Sequence, residues 1–153
     1  MALRDYVCGE AICTDLQAEK REDVIRELLK LFVTGGALAD GKVDEVLASV
    51  LKREQLGSTA IGNGIAVPHT RLDGLAGIAV GFAHCPKGVE FNALDGAPVY
   101  EVFLVIASRE SNDAYISVME RITRLVQNQD FRRFVADARD GRQVLDLIEE
   151  MDQ

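Results

Sequence analysis

Val99–Ala107 reads Val-Tyr-Glu-Val-Phe-Leu-Val-Ile-Ala, an almost continuous apolar run. A run of this kind suits a strand buried on both faces, and such a strand needs a layer of structure on each side. Asp95-Gly96 marks a turn before it, and Pro98 stands where its missing N–H costs least. Just upstream, Ile78, Val80 and Phe82 alternate with Gly77, Ala79, Gly81 and Ala83, which predicts a strand with one small-residue face. Ile65-Ala66-Val67 is a shorter apolar strand closed by Pro68, and Ala11–Leu16 fits an edge strand.

Around these segments the hydrophobic period is helical. Val24, Ile25, Leu28, Leu29 and Phe32 share one helix face ending at Gly35-Gly36, and Val43, Val46, Leu47, Val50 and Leu51 define a second helix ending near Gln55. After the apolar strand, Tyr115, Val118, Met119, Ile122, Leu125 and Val126 mark the core face of a long helix. Asp130 and Asp140 are expected to cap two further helices, carrying Phe131, Phe134, Val135 and Ala138, and then Val144, Leu147 and Ile148. The expected architecture is α/β: a small mixed β-sheet flanked by helices on both sides, as one domain over residues 1–153.

Composition sets outer limits. Hydrophobic residues make up 48% of the 153, enough to build a core. A net charge of −8 argues against nucleic acid as the main partner. There is no apolar stretch of membrane-spanning length and no secretory signal in Met1–Glu10, so no direct membrane insertion and a cytoplasmic location are expected. Cys8, Cys13 and Cys85 form no CxxC pair and are expected to be packing residues. With only His69 and His84 besides, no metal or organic cofactor is expected.

The densest unusual stretch runs from Lys52 to His69. A helix delivers Arg53 at its end, a glycine-rich loop with Ser58, Thr59, Gly62, Asn63 and Gly64 follows, and a strand ends in Pro68-His69. Glycines let backbone N–H groups approach an anion closely, hydroxyls add donors, and Pro68 stiffens the direction in which His69 leaves the strand. Imidazole has an unperturbed pKa of about 6.5 and is largely neutral near pH 7, so a ring nitrogen can attack phosphorus. Phosphoryl transfer needs positioning and charge stabilisation above all, which a guanidinium and oriented donors supply. The glycine spacing fits neither a dinucleotide fingerprint nor a P-loop.

The segment Arg53-Glu54…Gly57-Ser58-Thr59…Ile61-Gly62-Asn63-Gly64-Ile65-Ala66-Val67-Pro68-His69 resembles the active-site signature of the fructose/mannitol-type enzyme IIA family. These are phosphoryl-carrier domains of the bacterial phosphoenolpyruvate-dependent sugar phosphotransferase system, including its nitrogen-regulatory branch. Gly88–Val99 followed by Val102–Ala107 is similar to the family's second stretch, and the resemblance extends from about Ala11 to Ile148. It implies a mixed sheet between helices. It also implies that His69 accepts phosphate from an HPr-type phosphocarrier, that Arg53 steadies the phosphoryl oxygens, and that Ser58, Thr59, Asn63 and Gly64 shape the loop around them.

A sugar-pathway member would pass the phosphate on to a cysteine of a IIB domain. A regulatory member would instead change its contact with a target protein, and a degenerate one would bind without chemistry. No IIB or IIC portion is recognisable, so a free-standing IIA unit is expected. The family usually carries a second histidine early in the helix after the long buried strand. Here that stretch is Asn112-Asp113-Ala114-Tyr115-Ile116, with Ala114 at or within a residue of the position. His84 and Asp113 are the stand-ins to consider, and the loss favours a slow, regulatory or divergent member. Arg71 would add local positive charge, and Leu56, Ile61 and Leu72 would form an apolar rim that excludes water.

Overall fold

The computed structural model describes residues 2–152, and for Ile61 the backbone alone. Six strands form one mixed sheet: β1 (Val7–Cys13), β2 (Ala60–Gly62), β3 (Ile65–Ala66), β4 (His69–Leu72), β5 (Ile78–Val89) and β6 (Val99–Ser108). The long apolar strand β6 is its axis. β5 runs antiparallel to it from Ile78↔Ala107 to Val89↔Val99, and β1 is the edge beyond β5, parallel to it. On the other side of β6 both β3 and β4 pair in parallel, so two short strands share one edge. The edge strand begins at Val7, four residues before the start expected at Ala11, because the alternation there is weak.

The two sheet faces are covered separately. Ala79, Ala83 and Cys85 of β5 and Val102, Leu104 and Ile106 of β6 pack against α1 (Arg21–Thr34) and α2 (Val43–Leu56). Val80, Phe82, Phe103 and Val105 face α3 (Asn112–Gln127), α4 (Gln129–Ala136) and α5 (Gly141–Met151). The small-residue face of β5 thus has a purpose: α1 lies so close that a Cβ on Gly81 would meet Phe32 at 3.0 Å and the Ala11 carbonyl at 3.1 Å. The opposite face is filled by aromatics, with Phe82 edge-on to Phe103 at 5.0 Å and Phe131 stacked beyond it at 6.2 Å.

The helix ends follow capping chemistry with one change. Asp140 accepts from the Gln143 N–H and caps α5 as expected, whereas α4 is capped by Asn128, which accepts from Phe131 N–H at 3.1 Å. Asp130 falls inside the first turn, where a carboxylate suits the helix dipole. Among the described residues no helix is long and apolar enough to cross a membrane.

All three cysteines are free thiols packed in or against the α1/α2 core. Burial, with Cys13, Glu101 and Glu27 nearby, pushes the Cys85 thiol from 9.0 up to about 12. At pH 8 its thiolate fraction is then about one in ten thousand, against roughly one in ten for the unshifted thiol. Iodoacetamide at pH 8 is expected to leave Cys85 unmodified in the native protein and to alkylate it after unfolding, read by peptide mass. Alkylation of Cys85 under native conditions would show that the core opens there.

Candidate functional site

The glycine-rich loop is a hairpin rather than an open turn. β2 and β3 pair antiparallel around Asn63-Gly64, whose φ values of 61° and 73° put both central residues in the left-handed region. Asn-Gly is the pair that tolerates this at least cost, so these residues make the reversal, and Asn63 also faces the site. The Gly64 carbonyl accepts from Tyr100 and Glu101 N–H at 2.8 and 3.1 Å, which pins the hairpin to β6. Gly64 does not line the cleft described below and packs beside Tyr100.

The loop before the hairpin is held by a carboxylate. The Glu54 side chain is fully buried and continues the stripe Val43, Val46, Leu47 and Val50 on α2. It accepts the Thr59 backbone N–H at 3.2 and 3.4 Å and also the Thr59 hydroxyl, with the Arg21 guanidinium 4.0 Å away. Ser58 donates its hydroxyl to the Phe91 carbonyl at 2.8 Å and accepts from Ala60 N–H at 3.0 Å. Both hydroxyl protons that the sequence offers as donors to an anion are therefore committed to the protein. The signal that would have revealed Glu54 is a charged residue four positions after Val50 on an apolar stripe.

His69 does not leave the sheet, as expected from Pro68, but opens β4. The Pro68 carbonyl accepts from Val105 N–H at 3.0 Å, and His69 lies opposite Val105 in register. Side-chain alternation then sends Thr70 toward α2, where its hydroxyl bonds that of Ser49, and turns His69 and Arg71 toward α3. His69 Nδ1 lies 2.8 Å from the Val67 carbonyl. A carbonyl oxygen can only accept, so the neutral ring takes the tautomer with its proton on Nδ1 and its lone pair on Nε2.

Between the hairpin and α3 is a cleft of about 220 Å³ that takes in Arg53, Ser58, Thr59, Asn63 and His69, with Met119 and Thr123 of α3 on the facing wall. Arg53 donates one N–H to the Gly57 carbonyl at 2.8 Å, which stitches its head over the end of α2. A guanidinium has five N–H donors, so four remain for an anion. Arg71 lies outside the cleft wall: it donates to the Arg109 carbonyl at 2.9 Å and sits 4.9 Å over the Tyr115 ring. Tyr115 in turn is 6.4 Å from His69, centroid to centroid. A mono-protonated imidazole beside a guanidinium, in a cleft walled by aliphatic side chains, can bind a phosphoryl group and form a bond to it.

Comparison with known proteins decides what this arrangement belongs to. The sequence model of the phosphoenolpyruvate-dependent sugar phosphotransferase system, EIIA 2, matches residues 6–151. The chain belongs to the EIIA 2 family. A nitrogen regulatory protein of Bradyrhizobium diazoefficiens is 32% identical over 97% of this chain and 95% of its own length. The fructose-specific EIIABC component of Bacillus subtilis is 26% identical over 100% of this chain, which spans only 24% of that larger protein. In fold, nitrogen regulatory protein IIA-Ntr from Neisseria meningitidis superposes with a TM-score of 0.86 at 21% identity, covering 95% of this chain and 98% of its own. The mannitol IIA of Escherichia coli, solved in complex with phosphorylated enzyme IIB, gives 0.71 at 26% identity over 91% of this chain and 94% of that one.

Within this EIIA 2 chain, the stretch expected to hold a second histidine opens α3, and the side chain it turns toward His69 is Tyr115. Its place in the i, i+3, i+4 pattern marks Tyr115 as core, and it does pack on the α3–α5 core while also meeting the site. Of the two expected stand-ins, Asp113 is exposed in the first turn of α3. His84 lies opposite Glu101 across β5 and β6, its Nδ1 2.9 Å from the carboxylate, and does not line the cleft. Burial pushes the Glu101 carboxyl up, and the neighbouring His84 ring opposes that push. Of the expected apolar rim, Leu56 is 83% exposed at the end of α2 and does not line the cleft, whereas Leu72 packs against the α1/α2 core. The Ile61 side chain is outside the described residues.

Proposed function

We propose that this chain is a phosphoryl carrier whose acceptor atom is Nε2 of His69. The observation that carries the reading is the 2.8 Å Nδ1–Val67 carbonyl contact within a cleft that also holds Arg53. The Nε2 lone pair attacks phosphorus on the phosphohistidine of an HPr-type donor. A new N–P bond forms, the donor's N–P bond breaks, and its electron pair returns to the donor ring. The Nδ1 proton stays on His69, held by Val67, so the phosphorylated ring keeps positive charge next to the dianion. Onward transfer reverses the roles: a thiolate of a IIB-type domain takes phosphorus and the N–P bond of His69 breaks. The complex of mannitol IIA with phosphorylated IIB supports a IIB-type acceptor for this family member.

In this scheme Arg53 steadies the phosphoryl oxygens, and the frame of Ser58, Thr59, Asn63 and Gly64 fixes the cleft wall. We expect Arg53→Ala to slow phosphorylation about 10–100-fold, the range of a lost charge-assisted donor in a preorganised site. Its folding stability should fall by less than about 1 kcal/mol, since only the Gly57 bond goes. Initial labelling rates beside urea unfolding check both halves; equal rates would remove Arg53 from the mechanism.

A second reading has its own support, because the nitrogen regulatory relative matches nearly end to end. In it, phosphorylation of His69 switches docking to a regulatory target and little phosphate moves on. The separating experiment mixes phosphorylated protein with fructose- and mannitol-type IIB domains and follows the label. Movement to a IIB cysteine supports the carrier; retention against all of them supports the switch.

A further inference from the structure

A buried polar atom without a partner stands directly behind the site. Arg71 Nε is buried and has no hydrogen-bond partner among the described residues, although its Nη2 is tied to the Arg109 carbonyl. Folded proteins rarely leave such a donor unpaired. The guanidinium lies over the Tyr115 ring at 4.9 Å, and that ring meets His69 at 6.4 Å with the planes inclined by 50°. This separation is that of neighbouring aromatic rings, so the phenol ring stands beside the imidazole on its α3 side.

The phenol is set up to donate. Burial raises the Tyr115 hydroxyl above its usual 10.0, with Arg71 and then Arg53 opposing, so the proton remains in place at neutral pH. The same two guanidiniums put positive charge in the neighbourhood of the phenol, and an anion is the group that such a surround attracts. The cation–π contact with Arg71 and the packing of the ring on the α3–α5 core fix where the hydroxyl sits.

From this juxtaposition we propose that Tyr115 is a phosphoryl-binding residue, donating its hydroxyl to an oxygen of the phosphoryl group on His69 while Arg71 holds the ring in place. The proposal rests on the reading of His69 as the acceptor. It assigns to a phenol, backed by a guanidinium, the place where the resemblance implies a second imidazole. Arg71 acts through Tyr115 and is a positioning residue.

Tyr115→Phe keeps the ring, its packing and the cation–π contact and removes only the hydroxyl. We expect it to slow phosphorylation by an HPr-type donor about 10-fold, the size of one hydrogen bond to a charged group. The ³¹P resonance of the phosphohistidine should shift, and the thermal unfolding midpoint should stay within a degree or two, roughly what a surface-level change gives. Tyr115→His, which restores an aromatic donor, should recover most of the rate. If the wild-type chain takes phosphate on His69 but Tyr115→Phe matches it in rate and ³¹P shift, the role of Tyr115 is overturned and the His69 reading stands. If the wild-type chain takes no phosphate on His69, both fall together.

Discussion

His69→Gln is expected to fold like the parent chain and to take up no phosphate from an HPr-type donor, a loss of at least ~10³-fold in rate. The amide nitrogen of glutamine has no available lone pair, so the nucleophile is gone. The side chain remains able to donate to the Val67 carbonyl that His69 contacts at 2.8 Å. Because His69 is half-buried at the first position of β4 and its neighbours pair through backbone, stability should change by no more than about 1 kcal/mol. Intact-mass analysis after incubation with phosphoenolpyruvate, enzyme I and HPr reads the result directly. A full complement of label on His69→Gln would place the acceptor elsewhere.

The second large effect falls on a residue that touches no ligand. Glu54→Ala should cost about 3 kcal/mol, because the half-buried Thr59 N–H and hydroxyl both lose their acceptor and Arg21 loses its nearest carboxylate partner. The same deletion frees Thr59 to move, which loosens its part of the cleft wall, and phosphorylation should slow in step. Glu54→Gln retains one acceptor oxygen and most of the shape, so about half that loss is expected. Urea unfolding of the three proteins, with labelling rates on the same samples, distinguishes a loop clamp from a bystander. An alanine variant within 0.5 kcal/mol of the parent, roughly the scatter of surface changes, would mean the loop is held by other contacts.

The long elements are legible in the sequence because each buries a regular stripe. Val24 through Phe32 and Val43 through Val50 repeat at helical spacing, and β6 shows the continuous apolar run of a strand with helices on both faces. What escapes is short. β2 and β4 are three and four residues long, built of Ala-Ile-Gly and His-Thr-Arg-Leu; β2 pairs with the two-residue β3, and β4 depends on the distant β6, where His69 meets Val105. Pro68 reads as a strand end, yet the chain only pauses there and resumes along the same edge of β6.

At the candidate site the proposed acceptor and its neighbouring guanidinium were visible and their support was not. His69 and Arg53 announce themselves through residue type and the glycines between them. The hydroxyls of Ser58 and Thr59 look like free donors in sequence, and only tertiary structure reveals that Phe91 and Glu54 have taken them. Tyr115 is hidden by its own periodicity: a helical stripe does not say which of its members packs on the core and also meets His69.

The most direct measurement is ³¹P–¹⁵N correlation NMR on protein carrying ¹⁵N-labelled histidine after phosphorylation by HPr. We expect one coupled phosphorus, bonded to Nε2 of His69, with Nδ1 still protonated against Val67. Phosphorus on Nδ1 of His69, or on His84, would contradict the arrangement of proton and lone pair on which the proposed chemistry depends.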